Sequence, residues 1–118
     1  MLVDTSVWIE YFHRGNRAMA GLLGREAVEM HPMVVGELAC GRFHDREVVF
    51  ALLDKLPSIV TVDHPEALAF VEQHNLAGRG VGWIDVHLLA SARLTGATLW
   101  THDRRLSAVA RDLGIAVL

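Results

Sequence analysis

Met1-Leu2-Val3-Asp4-Thr5-Ser6-Val7-Trp8-Ile9-Glu10-Tyr11-Phe12 decides how the rest of the chain is read. Leu2 and Val3 suit a buried parallel strand, Thr5 and Ser6 can cap a following helix, and Val7, Trp8, Tyr11 and Phe12 recur at helical intervals. Asp4 therefore falls at the carboxyl end of a strand. In open α/β sheets that edge binds ligands, because the strands stop there and the loops leave room for polar groups. Taken alone, an acid in that place serves equally well as a helix cap or a turn residue.

Working outward, strands and helices alternate. A turn over residues 13–16 leads to a second helix with Met19, Leu22 and Leu23 on its apolar stripe, ending near Gly24. Residues 27–30 read as a short strand, Pro32 opens a third helix over 33–42, and Val48, Val49, Leu52 and Leu53 mark a fourth over 47–56. A third strand over 58–62 precedes a helix opened by His64-Pro65-Glu66, with Ala67, Phe70, Val71 and His74 on one face, that ends by Gly78. Arg79-Gly80-Val81-Gly82 is a flexible connection. Residues 84–94 are apolar almost all round, which marks a helix buried on most sides and closed by Gly96. A fourth strand over 97–101, a helix starting at Asp103 with Leu106, Val109, Ala110 and Leu113 on one face, and a terminal strand over 114–118 complete the chain. The alternation predicts an α/β fold with a mostly parallel central sheet of about five strands between helical layers.

Most of the fourteen acids read as solvated charges, Glu10 among them. Glu37 and Asp85 differ. Glu37 shares its helical face with Met33, Val34, Cys40 and Gly41, and Asp85 has Leu88 and Leu89 three and four residues on, so both carboxylates point where the core should be. Burying an ionised carboxylate without a partner costs several kcal/mol, so each needs a cation, a proton or a polar cleft. Asp103 repeats the strand-end position of Asp4, and parallel strands bring both to one rim, which the two helix carboxylates can reach from flanking layers. Oxygen ligands with no Cys pair and no spaced His pair select Mg²⁺ or Mn²⁺ over zinc. Such a site can activate water and stabilise a phosphodiester leaving oxygen, which is one of several uses for it.

Composition bounds the rest. The 118 residues suffice for one core and are too few for two ordinary domains. Hydrophobic residues make up 52% and mean hydropathy is +0.29, an apolar excess that suits a dimer or a bound second chain. No apolar run approaches the roughly 20 residues needed to span a bilayer, and Asp4 comes too early for a signal peptide, so the expectation is a cytoplasmic protein with no membrane partner. The lone Cys40 cannot close an internal disulfide and reads as a buried thiol. Net charge is −3, which argues against nucleic acid until four carboxylates are counted as metal-held, leaving the remainder at +1. Ten of the eleven basic residues are arginine, so composition permits RNA without demanding it.

Asp4-Thr5-Ser6-Val7-Trp8-Ile9, Val35-Gly36-Glu37-Leu38, Gly82-Trp83-Ile84-Asp85 running to Leu88-Leu89-Ala90, and Leu99-Trp100-Thr101-His102-Asp103-Arg104-Arg105-Leu106 occur in that order. In these motifs the chain resembles the PIN-domain ribonucleases, specifically the VapC toxins of VapBC toxin-antitoxin pairs. The resemblance implies a single PIN domain over residues 1–118 with a three-layer α/β/α sandwich. It implies a metal-dependent endoribonuclease using Mg²⁺ or Mn²⁺, with Asp4, Glu37, Asp85 and Asp103 as the catalytic, metal-holding quartet. Ser6 would support the first acid through a hydrogen bond, and Thr101 would act similarly. A homodimer and a VapB-type antitoxin lying over the active-site groove are also implied.

Arg79, Arg104 and Arg105 stand near the expected rim and could hold RNA phosphates; as single residues each reads equally well as a solvated helix-end charge. His87 and His102 flank it, but metal-assisted hydrolysis needs no histidine base, so they read as satisfied or surface residues. Trp8, Trp83 and Trp100 read as core or interface. A phosphoacceptor receiver would need a late lysine, and the only lysine is Lys55; a haloacid-dehalogenase-like phosphatase would need an acid where Ser6 stands. The stronger rival is a non-catalytic PIN-fold module that binds RNA or protein. Intact acids argue against it, because a buried acidic cluster without metal is repulsive.

Overall fold

The computed structural model describes all 118 residues. The chain opens with β1 (Leu2–Val3), both residues fully buried, and turns at Asp4 into α1 (Thr5–Arg14). Helices α2 (Arg17–Gly24), α3 (Pro32–Ala39), α4 (Arg46–Asp54), α5 (His64–Gln73) and α6 (Trp83–Thr95) follow before β2 (Leu99–Trp100) and α7 (Arg104–Asp112).

All the sheet contacts are parallel. β1 pairs with β2 in the register Leu2 to Leu99 and Val3 to Trp100, with the Leu2 and Asp4 amides donating to Thr98 and Trp100 carbonyls at 2.8 Å. Single bridges join Leu2 to Glu29, Met30 to Ser58 and Leu99 to Val117. The expected five strands are thus present in place, but three of them narrow to one or two bridged residues, and the expected strand over 58–62 is bridged only at Ser58. That segment is the sheet's edge, with one neighbour, and Val60 stands exposed. Across the sheet the strands run third, second, first, fourth, fifth, so the order reverses at β1. In such open parallel sheets the reversal marks a switch point at the carboxyl end of β1, where ligands bind.

The helices explain themselves locally. α5 starts with a capping box in which the Asp63 carboxylate accepts from the Glu66 amide and Glu66 returns to the Asp63 amide, with Pro65 in the first turn. In α6 seven consecutive residues, Val86 to Ala92, are buried, as its all-round apolarity requires. α3 stops at Ala39 rather than continuing to Arg42, because the Arg46 guanidinium takes the Ala39 and Gly41 carbonyls at 2.7 and 3.0 Å. Cys40 consequently lies just past the helix and is exposed, which corrects its reading as a buried thiol. Trp8 and Trp100 are core residues, whereas Trp83, in the first turn of α6, is exposed on one side.

Candidate active site

Asp4 is 7% exposed, and its side chain caps nothing, so the helix-cap reading fails. Its Oδ2 instead accepts from Thr101 Oγ1 at 2.7 Å and from Ser6 Oγ at 3.0 Å. Each hydroxyl has a single proton, and each also accepts a backbone N–H: His102 N–H to Ser6 and Asp103 N–H to Thr101, both at 3.0 Å. Those amides orient the hydroxyls so that their protons go to Asp4.

The other acids are held in the same economical way. Asp103 caps α7, its Oδ1 accepting from the Arg105 and Leu106 amides at 2.8 and 3.1 Å. Asp85 Oδ2 accepts from Gly82 N–H at 3.1 Å, and Glu37 Oε1 accepts from Thr5 Oγ1 at 2.6 Å. Every acid of the quartet is therefore held through one oxygen, and its other oxygen makes no hydrogen bond within the protein. No Lys, Arg or His forms a salt bridge with any of them. Burial pushes the Asp85 carboxyl above the usual carboxylate range; the Gly82 N–H opposes this, and the charges of Asp4, Asp103 and Glu37 add to it. The four carboxylates thus share one electrostatic environment.

Glu37 corrects its sequence reading in one respect. It is exposed on α3 rather than directed at the core, since Cys40 and Gly41, counted as its face neighbours, lie beyond the helix end. Its donor Thr5, which the sequence offers only as a cap, lies 32 positions away, and no local signal could have paired them. Gly82 was legible in principle, being three residues before Asp85 at a helix start.

The flanking candidates separate. His102 is a surface residue, its Nε2 3.1 Å from Glu10, which also takes the Asn16 amide at 2.7 Å; Glu10 is thus a bridging residue rather than a merely solvated charge. His87 is buried on α6 with ring centroids 4.9 Å from Trp83 and 6.1 Å from His31, and it hydrogen-bonds none of the four acids. Burial, then the neighbouring His64, lowers its pKa. Arg79 is paired with Asp112 at 2.6 Å, whereas Arg104 and Arg105, in the first turn of α7, are exposed and form no ion pair.

Carboxylates with one oxygen held and one unbound suit a hard divalent cation. No three His, Cys, Asp or Glu side chains are close enough to surround one ion. A cation here would touch one or two carboxylates directly and meet the others through water, the habit of Mg²⁺. A cavity of about 620 Å³ lined by residues such as Pro32, Val35, Phe50 and Leu53 contains none of the four acids. Of the four, Asp4 is buried, Asp85 half-buried, and Glu37 and Asp103 exposed.

A sheet whose order reverses at β1, with four unneutralised carboxylates gathered near that switch point, defines an α/β protein with an acidic site at its strand ends. The chain belongs to the PIN domain family, whose match covers residues 1–112. It is 43% identical over 118 residues to Ribonuclease VapC32 of Mycobacterium tuberculosis, in strains CDC 1551 / Oshkosh and ATCC 25618 / H37Rv, with 99% of this chain and 95% of the relative covered. Among solved structures it is similar to FitAB bound to an IR36 DNA fragment, with TM-score 0.64 and 19% identity over 99% of this chain and 92% of that one. It is also similar to PAE2754 from Pyrobaculum aerophilum, with TM-score 0.62 and 18% identity over 96% and 95% of the two chains. At such identities the structural likenesses establish the fold.

Proposed function

We propose that this chain is a divalent-metal-dependent endoribonuclease, the toxin of a toxin-antitoxin pair, with Asp4, Glu37, Asp85 and Asp103 holding Mg²⁺ or Mn²⁺. One observation carries the reading: Asp4, Asp103 and Glu37 lie near enough to Asp85 to act on its charge, beside a topological switch point, and no protein cation pairs with any of the four. Its support in sequence is the 43% identity to a relative named as a VapC ribonuclease. When bound, the ion lowers the pKa of a water and offsets charge on the phosphodiester oxygens. The protein's own part is orientation. Thr101 and Ser6 fix Asp4, Thr5 fixes Glu37, the Gly82 amide fixes Asp85 and the first-turn amides of α7 fix Asp103, each leaving an oxygen for the site.

Arg104, exposed in the first turn of α7 and without an ion pair, would hold an RNA phosphate beside the acids, while Arg79 is already engaged by Asp112. The partner that restrains the activity is a VapB-type antitoxin, and the 52% apolar composition suits both that contact and a homodimer. No helix is long and apolar enough to cross a membrane, in keeping with a cytoplasmic toxin.

The test is cleavage of a panel of folded and single-stranded RNAs by antitoxin-free protein with Mg²⁺, Mn²⁺ or EDTA, against Asp4→Asn. Cutting that requires metal and disappears in the folded variant is the expected result. Full activity in Asp4→Asn, or in EDTA, would overturn the assignment; Mn²⁺ binding without cutting of any RNA would favour the non-catalytic module.

A further inference from the structure

The connection between α5 and α6 ends at Gly82, whose amide holds Asp85, and two residues earlier Gly80 adopts φ +81°. A Cβ at Gly80 would lie 2.7 Å from Arg105 Cδ, 3.0 Å from Nη1 and 3.3 Å from Nε. The stem of Arg105 therefore lies directly on the Gly80 backbone, in a space only glycine leaves. Arg105 in turn stands two residues after Asp103 and gives that carboxylate its shorter amide hydrogen bond, 2.8 Å. The same loop is fastened a second time by the Arg79–Asp112 pair at the far end of α7. One contact thus joins the backbone that holds Asp85 to the backbone that holds Asp103.

We propose that Gly80 and Arg105 form a clasp that sets the spacing between Asp85 and Asp103, making Arg105 a positioning residue for hydrolysis; this rests on the nuclease reading above. The two acids come from separate helices, α6 and the start of α7, with no hydrogen bond between them, so their separation depends on how the loop that leads into α6 seats on α7. Displacing the stem of Arg105 would let the two carboxylates move apart while each kept its own amide. A site that brackets an ion between carboxylates from different elements loses both affinity and rate when that spacing relaxes.

The experiment compares wild type with Gly80→Ala, Arg105→Ala, Arg105→Lys and the Gly80→Ala/Arg105→Ala double variant. Readouts are kcat and KM on a single-stranded RNA with Mn²⁺, Mn²⁺ affinity by calorimetry without RNA, and Tm in EDTA. A methyl at φ +81° strains the loop backbone as well as striking the exposed side chain of Arg105, so Gly80→Ala perturbs both sides of the contact, and the Arg105 variants, which leave the backbone as it is, isolate the side chain's part. The clasp predicts that Gly80→Ala and Arg105→Ala each lower kcat and Mn²⁺ affinity about tenfold or more, and that the double variant is no worse than the poorer single one. Arg105→Lys, which keeps the stem out to Cδ, should return kcat to within about threefold of wild type. If Gly80→Ala changes only Tm while Arg105→Ala raises KM alone, Arg105 is a phosphate contact and the clasp is overturned. A wild type that neither binds Mn²⁺ nor cuts RNA overturns the nuclease reading and the clasp with it; a working wild type with variants equal to it overturns the clasp alone.

Discussion

Acidification should weaken the fold through one residue, His31. It is 1% exposed at the N-cap of α3, where Nδ1 accepts the Met33 amide at 3.0 Å. That bond fixes the neutral ring's proton on Nε2, which is buried and has no partner. Protonation would destroy the acceptor and place a charge in the core, 6.1 Å from the His87 ring. Burial, with His87 adding to it, lowers the His31 pKa from 6.5 to about 4. The folded pKa lies below the unfolded one, so the stability is complete above pH 6.5 and is lost as pH falls toward 4. By linkage the loss is about 2 kcal/mol at pH 5 and about 3 kcal/mol at pH 4. At about 4 °C per kcal/mol for a chain of this size, Tm should drop about 8 °C by pH 5 from this group alone. The assay is thermal unfolding of wild type and His31→Asn between pH 8 and 4.5. Asparagine keeps an acceptor for the Met33 amide and does not titrate; the smaller side chain costs packing energy, but that cost is the same at every pH. His87 and the carboxylates titrate in both proteins, so the difference in slope isolates His31. Parallel stability curves for the two proteins would refute the reasoning.

Three further outcomes are expected. Thr5→Val removes the only side-chain donor to Glu37 while preserving shape, and should reduce RNA cleavage about tenfold with the melting curve unchanged; a wild-type rate would dismiss Thr5. Asp85 is raised chiefly by burial, with its three acidic neighbours adding, so it favours the fold while protonated and loses that contribution as pH rises through its folded pKa. In EDTA at pH 7.5 Asp85→Asn should therefore melt above wild type, and Mn²⁺ should narrow the gap; a variant that melts lower in EDTA contradicts the shared field. Cys40 should react with an aromatic disulfide reagent at its free-thiol rate without denaturant, whereas protection until unfolding would restore the buried reading.

Much of this was legible because strand ends and helix starts carry local signatures. Asp4 follows two apolar residues and precedes a helical stripe, Asp103 stands two residues beyond the apolar pair Leu99-Trp100 and precedes another, and both fall where the pattern puts them. Strand order was not legible, since pairing Leu2 with Leu99 and Met30 with Ser58 depends on contacts far apart in sequence. Glu37 is instructive: the sequence pattern directs it at the core, and in the structure it is exposed. The face count ran past Ala39, where a guanidinium from the following helix closes α3, and nothing within residues 33–42 announces that closure. Thr5 was hidden for a similar reason, its hydroxyl being spent on another helix rather than on its own.

The quartet's support also explains how like charges persist together. Ion pairs with arginine would have oriented the carboxylates and cancelled their charge at once. Here the donors are neutral: hydroxyls of Thr5, Ser6 and Thr101, and amides of Gly82, Arg105 and Leu106. Neutral dipoles fix orientation without cancelling charge, which on the proposed nuclease reading leaves the acids available to a cation. Of the nearby arginines, Arg79 is drawn away from the acids by Asp112, and Arg104 and Arg105 pair with none of them. A mutation that freed the Arg79 guanidinium to pair with a carboxylate of the quartet should stabilise the metal-free fold while weakening Mn²⁺ binding, because the two cations would then compete for the same oxygens.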